Sequence, residues 1–178
     1  MPENETTATT EATTLGKLKR SALIHHINAT PTADTPSWFL IGKNVEDMSV
    51  ELNPDTEVIK NILDETEVQD NGYEPSVDVD TYYANPSDGD FYEWIKDIAM
   101  NRKTGADCMT QVLETLVDKT AQPFDGWIED VMVKPQSYGG PQGGISIPYQ
   151  IAFCGNRRQG TVTITNKVPT FTEPTPAG

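Results

Sequence analysis

Residues 145–154, ISIPYQIAFC, alternate strictly. Ile145, Ile147, Tyr149, Ile151 and Phe153 are apolar, whereas Ser146, Pro148, Gln150, Ala152 and Cys154 are small or polar. A strand with one buried face needs this period of two, because successive side chains point to opposite sides of a sheet. The stretch sits inside a longer block, residues 123–165, with three strand-like runs. PQSYGGPQGG, residues 135–144, cannot continue a strand but can reverse one. GNRRQG, residues 155–160, reads as a second reversal. The block is expected to be a β-meander that builds a surface, since nothing in it resembles a catalytic loop.

At 178 residues the chain is long enough for one domain with its own core. Only 36% of the residues are hydrophobic, so either part of the chain is tail or neighbours complete the fold. Thirteen Lys and Arg against twenty-seven Asp and Glu give a net charge of -14, which argues against gripping nucleic acid or an anionic membrane. Cys108 and Cys154 have no metal-ligand spacing and are expected as reduced, partly buried thiols. No run approaches the roughly 18 apolar residues that span a membrane. MPENETTATTEATT is acidic and Thr-rich, unlike a signal peptide, and assembly in a cytoplasm is expected.

Along the chain, residues 1–14 read as a flexible Thr-rich arm that cannot bury enough apolar surface to offset its ordering entropy. Lys17, Lys19 and Arg20 form a local basic cluster, either a dock for an acidic neighbour or a solvated face. His25 and His26 are adjacent, so in a strand they point to opposite faces and cannot chelate one metal together. Trp38 to Ile41 and Val45 to Leu52 read as strands. Asn53-Pro54-Asp55 and Asp70-Asn71-Gly72 read as turns. Thr56 to Gln69 fits either a polar strand pair or a loop with helical character. Val77 and Val79 alternate with Asp78 and Asp80 in an extended segment.

One helix is expected, about residues 87–103. Ser87 is its N-cap, Asp88 and Asp90 suit the helix dipole, Phe91, Ile95 and Ile98 with Trp94 form its stripe, and Gly105 stops it. The helix is expected to plug an open face of the sheet. For Cys108 to Lys119 the apolar spacing favours a helix, while its β-branched residues suit a strand. Asp125 to Lys134 reads as a strand with Trp127, Val131 and Val133 on one face. Residues 168–178 taper into a Pro-rich arm.

Abundant carboxylates give accidental acid/base pairs, such as Glu129 with Asp130 or Asp78 with Asp80, without a catalytic motif to anchor them. No cofactor, metal or catalytic residue is expected. Arg157 and Arg158 could pair with an acidic neighbour or stay solvated. Tyr73, Tyr82, Tyr83, Tyr138 and Trp38 could line a sugar-binding face, which makes a carbohydrate-binding β-sandwich an alternative.

The order of motifs narrows the field. LIGKNVEDMSVELNPDTEVIKNILDE is followed by GYEPSVDVDTYYANPSD, WIKDIAMNRKTG and GWIEDVMVKPQSYGGPQGGISIPYQIAFCGNRRQGTVTI. Together, over roughly residues 17–167, these resemble the major tail (tail tube) protein of long-tailed, siphovirus-type phages of low-GC Gram-positive bacteria. The resemblance implies a mainly β fold: a tail-tube-type β-sandwich or partial barrel with one flanking α-helix in residues 15–167. It implies hexameric rings whose strands join into a shared β-barrel, stacked into a tube for genome delivery, and it makes residues 108–119 a strand.

Within that frame the loop from Asn53 to Glu67 and the terminal arms would bridge successive rings. Asn53, Asp55, Thr56, Glu57, Lys60 and Arg20 are then the inter-ring contact candidates. Ile145, Ile147, Tyr149, Ile151 and Phe153 mark the barrel-lining strand, so a proline at Ile147 or Ile151 is expected to block assembly more than folding. The implied partners are further copies of the chain, a tape measure protein, and tail terminator and distal tail proteins. Double-stranded DNA would pass through the lumen without specific binding. The implied location is the virion tail, assembled in the host cytoplasm. The inner tube of a phage-derived contractile injection particle is the nearest alternative.

Overall fold

The computed structural model describes residues 16–42, 45 and 48–174. The expected Thr-rich arm, residues 1–14, and the last four residues of the Pro-rich arm lie outside the described residues. A 3-10 turn, Arg20–Ala22, leads into β1 (Leu23–Asn28) and β2 (Trp38–Ile41). A hairpin follows, β3 (Pro54–Lys60) and β4 (Thr66–Tyr73), then β5 (Ser76–Val79) and the helix α1 (Asp90–Asn101). The chain ends in β6 (Met109–Leu116), β7 (Phe124–Pro135), β8 (Tyr149–Phe153), β9 (Arg158–Thr165) and β10 (Val168–Thr172). The fold is mainly β with one flanking helix, as expected.

The main sheet is antiparallel, in the order β10-β9-β7-β6-β1-β2, with β8 on β7 and β5 on β8. Its spine is β7, the longest strand. One edge of β7 pairs with β6 from Asp125 to Met132. Along the other edge, Phe124–Ile128 pair with β9 and Val131–Pro135 with β8. GNRRQG is therefore no reversal. β8 and β9 run in one direction along β7, and Cys154 to Arg157 bulge out opposite Glu129 and Asp130. The ladder holds through the bulge by Cys154 N donating to Asp130 O (2.8 Å) and Asp130 N to Gly155 O (3.2 Å). Gly155 (φ 90°) and Asn156 (φ 56°) supply the positive φ, and the same residue types serve a bulge as readily as a turn.

The reversal comes later. Asn166 (φ 52°) and Lys167 (φ 67°) make a two-residue turn between the paired Thr165 and Val168, with the sign that matches strand twist. The Pro-rich arm expected from residue 168 thus begins as a strand. Pro169 fits there because β10 pairs only with β9.

Within Cys108 to Lys119, where apolar spacing favours a helix and the family resemblance a strand, Met109–Leu116 is a strand and Cys108 ends a 3-10 turn. β6 lies between β1 and β7 and is buried on both faces, so Val112, Leu113, Glu114 and Thr115 are all inside and alternation disappears. Residues 48–52 do not form the strand expected from Val45 to Leu52. Only Glu51 bridges, to Ser76, because the chain is leaving the body for the hairpin. Asp70-Asn71-Gly72 lies inside β4. Pairing jumps from Asp55↔Gly72 to Thr56↔Asp70, leaving Asn71 as the extra residue of a bulge.

The helix starts at Asp90 rather than Ser87. The Asn85 side chain accepts from Ser87 N (3.0 Å) and caps a short 3-10 turn, and Gly89 (φ 61°) precedes the helix. It ends on left-handed Arg102, whose neighbour Lys103 N donates to Ile98 O (3.1 Å), so Gly105 is not the stop. Phe91, Ile95, Ile98 and Ala99 are buried, and the helix covers one face of the sheet. Phe91 stacks on Phe39 with centroids 4.1 Å apart and meets Tyr82 and Tyr149 edge-on.

That face carries the larger core, including Val77, Val79, Val112, Val131, Val133 and Ile151. The opposite face carries Leu113, Ile128 and Val162, packed by Trp38, Ile164 and Phe171. Trp38 and Phe171 come from the two ends of the strand path, β2 and β10. Both reach one cluster only because the sheet curls into a half-barrel.

Candidate functional site

The hairpin β3–β4 is the feature that stands apart. Its strands pair with each other from Pro54↔Tyr73 to Lys60↔Thr66, as a two-stranded sheet separate from the main one. Nearly every residue is exposed. At its base Asn53 (φ 44°) donates from Nδ2 to Glu74 O (3.0 Å), and Glu74 N donates to Asn53 O (3.2 Å). At its tip the Asn61 side chain accepts from Leu63 N (2.9 Å) and Glu65 N (3.1 Å) and donates to Glu65 Oε2 (2.7 Å). This polar brace presents Ile62, fully exposed, and Leu63, largely exposed.

Val58 and Val68 face each other across the strands and are also open to solvent. Six carboxylates and one lysine, Lys60, lie between Pro54 and Tyr73. An isolated two-stranded hairpin is marginal in water, and grouped exposed aliphatics mark a contact surface.

The expected contact residues divide in two. Asp55, Thr56, Glu57 and Lys60 lie exposed along β3. Asn53 ties the base instead. Arg20 sits on the body, where its guanidinium donates to Leu23 O (2.6 Å) and Met48 O (2.9 Å). The apolar tip and the Val58–Val68 pair were missed as contact residues. Five aliphatics, Ile59 included, in an otherwise acidic segment are the available signal.

Of the barrel-lining candidates, Ile147, Tyr149 and Ile151 are buried in the core under α1, Phe153 packs against it, and Ile145 is exposed. Those four side chains face inward within the subunit. β8 pairs on both sides, with β5 and β7, so a proline at Ile151 would interrupt a ladder within the subunit as well. In the main sheet, among the described residues, β2 and β10 pair along one edge only, and the second edge of β5 carries just the bridge from Ser76 to Glu51. β2 and β10 each leave one side of their backbone unpaired.

The bulge after β8 gives the body its charged centre. Arg157 reaches back over β7 and β6, with Nη2 2.6 Å from Glu114 Oε2 and Nη1 2.8 Å from Glu129 Oε2. His25 Nε2 lies 3.2 Å from Glu114 Oε1, off the line of an aligned hydrogen bond. Burial pushes the Glu114 carboxyl up, but His25 and Arg157 outweigh it and hold it below the ordinary range. His26 is buried on the other face, beside Leu113 and Leu40 in the pairing, and its Nδ1 has no partner. Burial, reinforced by His25, lowers its pKa to about 4.

The other polar residues with possible chemistry are tied into the frame. Asp130 accepts from Asn156 (2.9 Å) and Gln111 (2.9 Å), which hold its carboxyl below the usual range. Asp78 accepts from Gln150 (2.9 Å), its partner in the β5–β8 ladder. Arg158 pairs with Glu173. The five aromatics do not form one platform. Tyr82 is buried with its hydroxyl donating to Asp88 (3.1 Å), Trp38 packs the second cluster, and Tyr73 belongs to the hairpin. Cys108 is buried and Cys154 exposed, both free. Among the described residues no group of three metal-binding side chains occurs, and no helix is long and apolar enough to cross a membrane.

No protein-family model matches the chain, and no curated protein matches it. Its fold is similar to that of the anti-feeding prophage cap, a tube-terminating cap, with a TM-score of 0.51 and 12% identity over 88% of this chain and 99% of that one. A sheath/tube terminator of an extracellular contractile injection system aligns with a TM-score of 0.48 and 10% identity over 82% of this chain and 97% of that one.

Proposed function

We propose that the chain is a structural subunit of a phage-type tail, the major component of its tube. Copies close into hexameric rings through the free edges of the curled sheet, and rings stack through the β3–β4 hairpin into a channel for genome delivery. The observation that carries this reading is the hairpin: an ordered arm, exposed on all sides, with an aliphatic tip that the subunit does not cover. An arm of that kind contributes nothing to the core of a lone subunit and needs a neighbour to bury it. Closing the sheet edges around a ring removes the pairing templates that a monomer would expose.

The fold's likeness to a tube-terminating cap supports a place on the tube and favours a second reading, a ring that ends the tube rather than repeats along it. The two differ in how many faces stack. Under the first reading the partners are further copies, a tape measure protein, and terminator and distal tail proteins, in a particle assembled in the host cytoplasm. The net charge of -14 per chain would keep DNA sliding through the lumen instead of binding it.

Negative-stain microscopy of the purified protein tests the reading. Tubes of uniform diameter are the expected result, and single rings that do not stack would favour the cap. Monomers that persist at high concentration would overturn both.

A further inference from the structure

We propose that the hairpin tip of one copy, Ile62 and Leu63, docks in the cavity at the β1–β2 end of a second copy. The proposal rests on the tail reading above and names the surface that receives the arm. The cavity has a volume of about 460 Å³ and is lined by Leu23, Ile24, Leu40, Ile41 and Met48, with Arg20 beside them. Ser21 and His25 also line it, so it is open, part aliphatic and part polar, and of a size that holds a small ligand. Leu40, in the edge strand β2, is 45% exposed, a second aliphatic surface without a partner in the subunit.

Arg20 at the cavity favours an acidic occupant. The tip is acidic, with Asp64, Glu65 and Glu67 beside its aliphatic pair. Arg20 lines the cavity, and the exposed Lys17 and Lys19 precede it in the chain. Arg20 spends donors on Leu23 O and Met48 O, which fix its guanidinium and leave further N–H groups for a carboxylate.

The occupant comes from another copy, because β3 and β4 pair only with each other and Ile62 is fully exposed in its own chain. The tip stands eight residues from the base, roughly 26 Å at about 3.3 Å per residue. Tip and cavity are different surfaces, so the contact is heterologous and repeats from copy to copy.

Two arms of one experiment test this. In a Cys154→Ser background, Leu40→Cys with Leu63→Cys should give a ladder of disulfide-linked multimers on oxidation, whereas either cysteine alone should not. Separately, Leu40→Glu should cut assembly at least tenfold with the monomer's circular dichroism unchanged, and adding Leu63→Lys should restore it. Particles that form normally with Leu40→Glu, with no ladder from the cysteine pair, would overturn the docking site and leave the tail reading standing. A wild-type protein that never assembles would overturn both.

Discussion

Arg157 and Glu114 are 43 positions apart and 2.6 Å from each other. The bulge between β8 and β9 makes the contact, because it lifts Arg157 out of the ladder and lays its guanidinium across two buried carboxylates. The bulge is therefore part of what holds the branch point of the sheet together.

Replacing Arg157 by Met leaves Glu114 and Glu129 buried and without their shared partner. Breaking a fully buried pair costs about 3–5 kcal/mol. The Arg157 side chain is 44% exposed, so the expected loss is smaller, roughly 2 kcal/mol at neutral pH. Because Glu114 is held below its ordinary value of 4.5, its contribution is present above that pH and is lost as pH falls through the folded value. Denaturant melts of Arg157→Met should therefore show a smaller further loss in acid than wild type.

His26 titrates in a higher window. Its folded pKa is about 4 against an ordinary 6.5, so between those values the unfolded chain binds more protons and stability falls as pH drops. One such proton corresponds to about 1.4 kcal/mol per pH unit. His26→Phe, which also removes an unpartnered buried nitrogen, should flatten the stability curve between pH 6.5 and 4. A curve parallel to wild type would show that His26 does not carry the slope.

Gly160 lies opposite Gly126 in the β7–β9 ladder, and Phe171 of β10 covers it. A Cβ at Gly160 would sit 2.4 Å from Thr172 O and 2.6 Å from the Phe171 ring, and a backbone oxygen cannot step aside. Gly160→Ala should destabilise by about 1–3 kcal/mol and loosen β10 first. Hydrogen exchange of the β10 amides is the measurement, and protection equal to wild type would refute the expectation.

Excising the hairpin should spare the body. Replacing residues 54–73 with a two-residue Gly-Ser link between Asn53 and Glu74 removes none of the buried core, and the two flanking residues are already hydrogen-bonded. Thermal melting should move by a few degrees at most, while assembly seen by microscopy is lost. Unfolding of the excised protein would show that the arm supports the body after all.

What the residues foretold depended on whether each segment answers to one neighbour or to several. Val77 and Val79 in β5 and the stripe of α1 face a single core, and their periodicity was legible. β6, buried on both faces, hid its period and mimicked a helix. Gly155-Asn156 signalled a break in the strand, but local sequence does not separate a bulge from a reversal. Asn166-Lys167 lacks the glycine that usually marks a two-residue turn, so by sequence β10 reads as tail. The pairing of Arg157 with two glutamates, 28 and 43 positions away, had no sequence signature. The expected loop, Asn53 to Glu67, covers β3 and the tip but stops short of most of β4, and its polar majority draws attention away from Ile62 and Leu63.

The meeting of Asn53 and Glu74 makes the arm a ruler. Because both strands enter and leave the body at one point, their length is independent of everything the body needs in order to fold. Adding two residues to each strand would carry the tip roughly 7 Å further while keeping every side chain on its present face. Adding one would turn the faces over. The spacing between neighbouring copies would then be written in the count of residues between positions 53 and 74, and could lengthen in even steps without a change anywhere else in the chain.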